Sequence, residues 1–351
     1  MNAVAPNPLS KAAGWMNGQA LPTRRDESFR WSDMARALRA VPPASPPSVA
    51  PGWPGPFEGL ADRELIFVNG YETGPDLALL GSETLAVRFI ADTVDTAHLA
   101  RLKIEVMAGH AALLLESYEG RGQGYFANTV LDIELGEGAT LERVAVLDEP
   151  EGAVSVSTAV VRMGAEARYA QTVIAGGAKL QRHETHLHHP GLGARARLDG
   201  IYLLGGARHA DITTAVTHEG LEGETSQLTK GVVADAARGV FQGKIVVAHG
   251  ADKTDARMRH DAILLSDRAE VDAKPELLIY ADDVSCAHGN TVGALDEEAL
   301  FYARSRGIPA AAARTLLTQA FVAEVVERIQ HEAAAAAAGA WVERRLEAIS
   351  A

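Results

Sequence analysis

A glycine followed directly by alanine recurs at Gly138, Gly164, Gly177, Gly193 and Gly206, with separations of 26, 13, 16 and 13 residues. A unit of 13 fits three of these gaps, and the remaining one is lengthened by three residues around HHPGLG. Turn residues at such even spacing leave segments too short to bury a face alone, so each must stack on the next. The segments ATLERV, AEARYA, AKLQRH and ARARLD follow the first four pairs. Alternate residues of a strand share a face. Ala139 with Leu141, Ala165 with Ala167, Ala178 with Leu180, and Ala194 with Ala196 therefore point the same way and would build one continuous core. The pattern predicts a mainly β chain with a β-helix core; a jelly-roll sandwich is the alternative that glycine turns and alternating strands also allow.

Short β-rich runs such as ELIFVNG, LKIEVMAG and AALLLESYEG fill residues 64–278. The organisation read from the chain is an N-terminal helical region over residues 1–41, a proline-rich linker over 42–59, a β core over 60–294 and a C-terminal helical domain over 295–351. In the first, Ser32 or Asp33 is expected to cap a short helix running through Ala40. In the last, Asp296 is an N-cap, Gly307 a stop and Pro309 a first helical position. Leu317, Phe321, Val325 and Ile329 then form an apolar stripe. A short helical appendix has little core to face, so the stripe suits either packing or a partner.

With 351 residues, a net charge of −13 and no basic run, the chain is not expected to bind nucleic acid. No apolar run approaches the roughly 20 residues that cross a bilayer, and the N-terminus lacks the apolar centre of a signal peptide, so a cytoplasmic location is expected. The single cysteine, Cys286, excludes an internal disulfide or a CxxC pair. GKIVV at Gly243 lacks the glycine loop and hydroxyl residue of a Walker A motif, and no GxSxG elbow is present. ATP hydrolysis, ordinary hydrolase chemistry and dinucleotide binding are therefore not expected.

Two segments carry metal-ligating residue types. In RHETHLHH, Leu187 stands where HExxH needs its second histidine, and the segment reads as strand, not helix. On a strand, His186 and His188 share one face and His183 and His189 the other, which allows a cupin-like metal pair or packing at the lengthened turn. In LLIYADDVSCAHG, a continuous strand would place Tyr280, Asp282, Val284, Cys286 and His288 on one face, with Cys286 and His288 about 7 Å apart between Cα atoms. Two ligands leave a four-coordinate ion half bound, and Gly289 beside them leaves room for another backbone. A buried, inert Cys286 with His288 in a turn is the other reading.

KPELLIYADDVSCAHGNTVGALDEEALFYARSRGI, residues 274–308, resembles the C-terminal signature of the SufB/SufD family of iron–sulfur cluster assembly proteins. SQLTKGVVADAARGVFQGKIVV, ADKTDARM, AILLSD and the N-terminal LPTRRDESFRWSD resemble the same family. CAHGN, with glycine after the histidine, is similar to the SufD branch, whereas SufB tends to carry glutamate there. Asn290 stands where alanine is usual and Ser285 where lysine is common.

The resemblance implies a right-handed parallel β-helix core with N- and C-terminal helical regions, and a non-catalytic subunit of a scaffold formed with SufB and the ATPase SufC. It further implies pairing with SufB through the β-helix ends, docking of SufC on the C-terminal helices, and a homodimer for the isolated chain. His288 is expected to ligate iron of a nascent cluster shared with SufB, with Cys286 as second ligand or neighbouring thiol. No cluster is expected on the chain alone. Asp282 is expected to be structural or to assist iron delivery. Phe301, Tyr302, Arg304, Arg306, Leu317 and Phe321 are candidate docking residues. A cupin-type enzyme using His186 and His188, and a purely structural partner of SufB, are the alternatives.

Overall fold

The computed structural model describes residues 7–49, 52–72 and 77–350. Two residues of the expected linker, Ala50 and Pro51, and the first six of the N-terminal region lie outside them.

Strands fill the chain from Arg63 to Gly293 and, beyond an initial hairpin, pass alternately to two sheets. Neighbours within each sheet are parallel and lie one full coil apart in the chain. A ten-stranded sheet runs from the hairpin to Ser285–Gly293, and an eight-stranded sheet from Leu77–Leu80 to Glu270–Ile279. This is a parallel β-helix with two long strands per coil. The laterally paired positions Thr140, Arg168, Arg195, Glu224, Asp255 and Ser285 stand 28, 27, 29, 31 and 30 residues apart. The spacing of 13 is therefore about half a coil: Gly138, Gly164 and Gly193 lead into strands of the ten-stranded sheet, and Gly177 and Gly206 into strands of the eight-stranded sheet.

The pairs are also not equivalent within their turns. Ala139, Ala167 and Ala194 enter strands and are fully buried, whereas Ala165 and Ala207 lie in the turns themselves. Close stacking of coils explains this. A Cβ on Gly164 would lie 2.8 Å from the backbone of Gly136 and Glu137, and one on Gly136 would lie 2.6 Å from Ala108 N. Glycine is needed where one turn rests on the last.

Inward alternation holds as expected at Leu141 and Ala196, both buried in the lumen, whereas Leu180 is buried on the outer side, where it packs with Val154 and Val156 beneath the N-terminal arm. The lumen is filled by both sheets, with Leu114, Leu131, Ile133, Leu187, Tyr202 and Phe241 among its larger members. Each fully buried aliphatic or phenyl group there stabilises the fold by about 1.5–3 kcal/mol.

Helices cover both outer faces. Helix α1 (Pro8–Trp15) is capped by Asn7, and α2 (Met34–Leu38) by Asp33, whose side chain accepts from Arg36 N. Helix α2 stops before Ala40 because Arg39 turns to φ 61°. Trp15, Phe29 and Met34 from this N-terminal arm pack on Phe126, Val130 and Val156 of the eight-stranded sheet.

At the other end follow α3 (Glu297–Ser305), α4 (Ala310–Val326) and α5 (Glu332–Ser350). Asp296 caps α3 by accepting from Glu298 N and Ala299 N, and Pro309 is the N-cap of α4, one position before the first helical residue. The expectation that these helices lack a core to face is overturned. Val322, Val325, Ile329, Trp341 and Leu346 join Val144, Ile174, Ile201 and Leu228 in a second apolar layer outside the ten-stranded sheet. No described helix is long and apolar enough to cross a membrane.

Candidate functional site

Strand Ser285–Gly293, which carries Cys286 and His288, is the last member of the ten-stranded sheet, and Glu270–Ile279 is the last of the eight-stranded sheet. Both sheets thus end at one extremity of the solenoid, each with a long strand paired on one side only. Such edges offer a row of backbone N–H and C=O groups to another chain.

Register identifies what this end presents. Ala256, Met258, His260 and Ala262, all buried, pair with Cys286, His288, Asn290 and Val292. Cys286 packs against the lumen core and Asn290 bonds to buried His260, so alternation puts His288 between them on the same face. The lumen row of the final coil is therefore open: Cys286 is half-buried, and His288, Asn290 and Val292 are exposed. Leu278, Ile279 and Tyr280 add exposed apolar surface at the same end. A Cβ on Gly289 would meet nothing within 4 Å.

Burial pushes the Cys286 thiol upward, aided by the charge of Asp255 and opposed by a hydrogen bond involving the Ala256 backbone. A thiol held in its protonated form is a weak metal ligand. Exposed His288 is the more available donor, and Cys286 needs a change of surroundings to act beside it. Among the described residues no three His, Cys, Asp or Glu side chains converge on a point that could hold a metal ion. The end face offers part of a ligand set.

The longer shared face expected for this segment does not form. The strand ends at Ile279, and the chain turns through residues 280–284 to reach the other sheet, so Tyr280 and Asp282 are separated from Cys286 by a corner. Tyr280 instead tilts against His249, 5.6 Å between ring centroids, and Asp282 N points to Asp252 Oδ1 at 3.3 Å. The corner had no glycine or proline to announce it.

The histidine-rich strand Leu180–His189 has the expected facing, with His183 and His189 buried and His186 and His188 outside. The outer pair does not form a metal centre. His186 Nε2 lies 2.6 Å from Glu184 Oε1, while His188 Nδ1 lies 2.8 Å from Glu219 Oε1, so each imidazole is held by its own carboxylate.

The docking candidates divide. Phe301 and Tyr302 are 73% and 64% exposed on α3, with Arg304 and Arg306 exposed beside them and the Arg306 guanidinium 5.9 Å from the Tyr302 ring. Leu317 and Phe321 are half-buried, and Phe321 packs against the second apolar layer. The buried face of α4 is Ala313, Thr318, Val322 and Val325; of the stripe read off the sequence, Val325 and, just beyond the helix, Ile329 are buried in the apolar layer, while Leu317 and Phe321 are only partly covered. Sequence reasoning also passed over His260, whose place in the alternation of RMRHDAIL is the signal that it faces the lumen.

The family model described as the SufBD core domain of SUF system FeS cluster assembly matches residues 89–321. An iron–sulfur cluster assembly SufBD family protein of Synechocystis is 33% identical over 59% of this chain and 46% of its own length. The iron–sulfur cluster assembly protein SufD of Escherichia coli is 32% identical over 69% of this chain and 57% of its own, and SufD of Bacillus subtilis is 31% identical over 58% and 47%. The chain spans about half the length of the curated relatives it matches. The core match runs through the solenoid past its open end and into α4, and on that ground the chain belongs to the SufBD family.

Proposed function

We propose that this chain is a SufD-like, non-catalytic subunit of an iron–sulfur cluster assembly scaffold, acting with SufB and the ATPase SufC. The observation that carries the reading is the open final coil. Its lumen row of Cys286, His288, Asn290 and Val292 is continued by no further strand, and both sheet edges there are free to pair. A second β-helix placed end to end would cover that row. It would bring its own donors to His288 and, by changing the surroundings of Cys286, could complete a ligand set for iron of a nascent cluster, which is cargo here. The exposed Phe301, Tyr302, Arg304 and Arg306 on α3 form the docking surface for SufC. Helix α3 begins four residues beyond the edge strand, so movement imposed on it by nucleotide-driven SufC dimerisation would reach the paired ends directly.

The test compares wild type with His288→Ala, each co-purified with SufB and SufC, for complex recovery and for cluster formed on anaerobic reconstitution with ATP. Intact complex without cluster supports His288 as a ligand. Intact complex with undiminished assembly makes the chain an architectural subunit and removes the ligand role.

A further inference from the structure

One side-chain relay connects the buried lumen to the open strand. His260 is fully buried, its ring parallel to Phe241 at 4.9 Å and 2°, and at 5.9 Å and 22° to Tyr202. Both its nitrogens are bonded: Tyr202 Oη lies 2.8 Å from Nε2, and Asn290 Oδ1 lies 2.6 Å from Nδ1. The carboxamide oxygen can only accept, so Nδ1 carries the proton and Nε2 accepts from the Tyr202 hydroxyl.

Tyr202 and His260 sit on strands separated by a third, Glu224–Val233. Gly231 is the residue of that strand in register with Tyr202, and a Cβ there would lie 2.1 Å from the tyrosine ring. A Cβ on Gly239, from the opposite sheet, would lie 2.3 Å from the same ring. Two glycines thus let the phenol lie across the intervening strand and reach His260.

We infer that Asn290 is a positioning residue, which through His260 and Tyr202 holds the open strand in register and keeps Cys286 and His288 on its lumen face. The inference rests on the reading that this row meets a partner. Its test uses the isolated chain, so that it can fail without that reading failing. Strand Ser285–Gly293 has backbone bonds on one side only, and the Asn290 link ties its middle to the core.

Hydrogen exchange followed by mass spectrometry is the measurement, on wild type, Asn290→Ala, Asn290→Asp, His260→Phe and the Asn290→Ala/His260→Phe double variant. His260→Phe keeps a ring for the stack and removes both bonds. Loss of the link is expected to speed exchange of Ser285–Gly293 about tenfold in Asn290→Ala and in His260→Phe, with no further gain in the double variant. Asn290→Asp, which keeps an acceptor, is expected to stay within about twofold of wild type, and Asp255–Leu264 is expected to be unchanged in Asn290→Ala. Unchanged protection of Ser285–Gly293 in Asn290→Ala would overturn the inference, and that exposed-site variant decides the matter if His260→Phe does not fold.

Discussion

The ammonium of Lys230 lies 4.4 Å from the ring centroid of Phe321 and pairs with Glu324 on the same helix. Strand Glu224–Val233 is thereby tied to α4 through a residue that the sequence alone left open between core and partner surface. Phe321→Ala should cost about 2 kcal/mol, less than the truncation of a fully buried phenylalanine because the ring is half-exposed. Phe301→Ala, on the outer face of α3, should change stability by less than about 0.5 kcal/mol and still weaken SufC capture. Urea denaturation of both variants beside a SufC binding assay separates the two roles; equal destabilisation by both would contradict the division.

Ile279 and Val292 are 42% and 41% exposed at the open end. Lysine at either position leaves the monomer's contacts nearly intact but places a charge where a second β-helix would sit. The melting temperature should hold while recovery of SufB falls at least about tenfold. Undiminished recovery with both lysines present would move the SufB contact elsewhere.

Arg143 and Glu116 form an ion pair inside the lumen, with Nε to Oε1 at 2.6 Å and both side chains at most 1% exposed. Arg143 also bonds Gln171 at 3.0 Å. Removing one partner strands a buried charge. Arg143→Met is expected to cost about 3–5 kcal/mol, and Arg143→Met combined with Glu116→Leu to recover most of it. A single variant within about 1 kcal/mol of wild type would show that water reaches this part of the lumen.

Glu149 is 4% exposed, and burial pushes its carboxyl from the ordinary 4.5 up to about 7, against the hydrogen bond from Gln181 at 2.9 Å. Between those two values the folded chain keeps a proton that the unfolded chain has released. The group's contribution is therefore fully present below about pH 4.5 and is lost as pH rises through about 7. Glu149→Gln, which carries no charge to bury, should gain on wild type by an amount on the order of 3 kcal/mol between pH 5 and pH 8. Urea midpoints for the two proteins at several pH values would give the difference; a constant offset would refute the assignment.

Local periodicity reached a long way here. The Gly-Ala spacing and the inward alternation at Ala139, Leu141, Ala194 and Ala196 are properties of single half-coils. A strand's facing, and the positive φ of turn residues such as Gly138, Gly193 and Gly206, depend on neighbours a few residues away. The caps at Asp33 and Asp296 were legible for the same reason, and so was the division of His186 and His188 from His183 and His189. Helix α1 was passed over although Asn7 and Pro8 are a cap and a first helical residue.

Everything decided across a coil was invisible to that reading. Thr140 meets Arg168, and Met258 meets His288, through backbone bonds spanning about 30 residues, and no window of local pattern contains both. The alternation of half-coils between two sheets, the covering of Ile174 and Ile201 by α4 and α5, and the corner that parts Tyr280 from Cys286 all belong to this class. By itself the sequence determined that the chain stacks β coils and that Cys286 and His288 face one way. Tertiary structure decided that their strand is the last of its sheet, since a side chain's exposure depends on whether another coil is laid over it, and no residue encodes that alone.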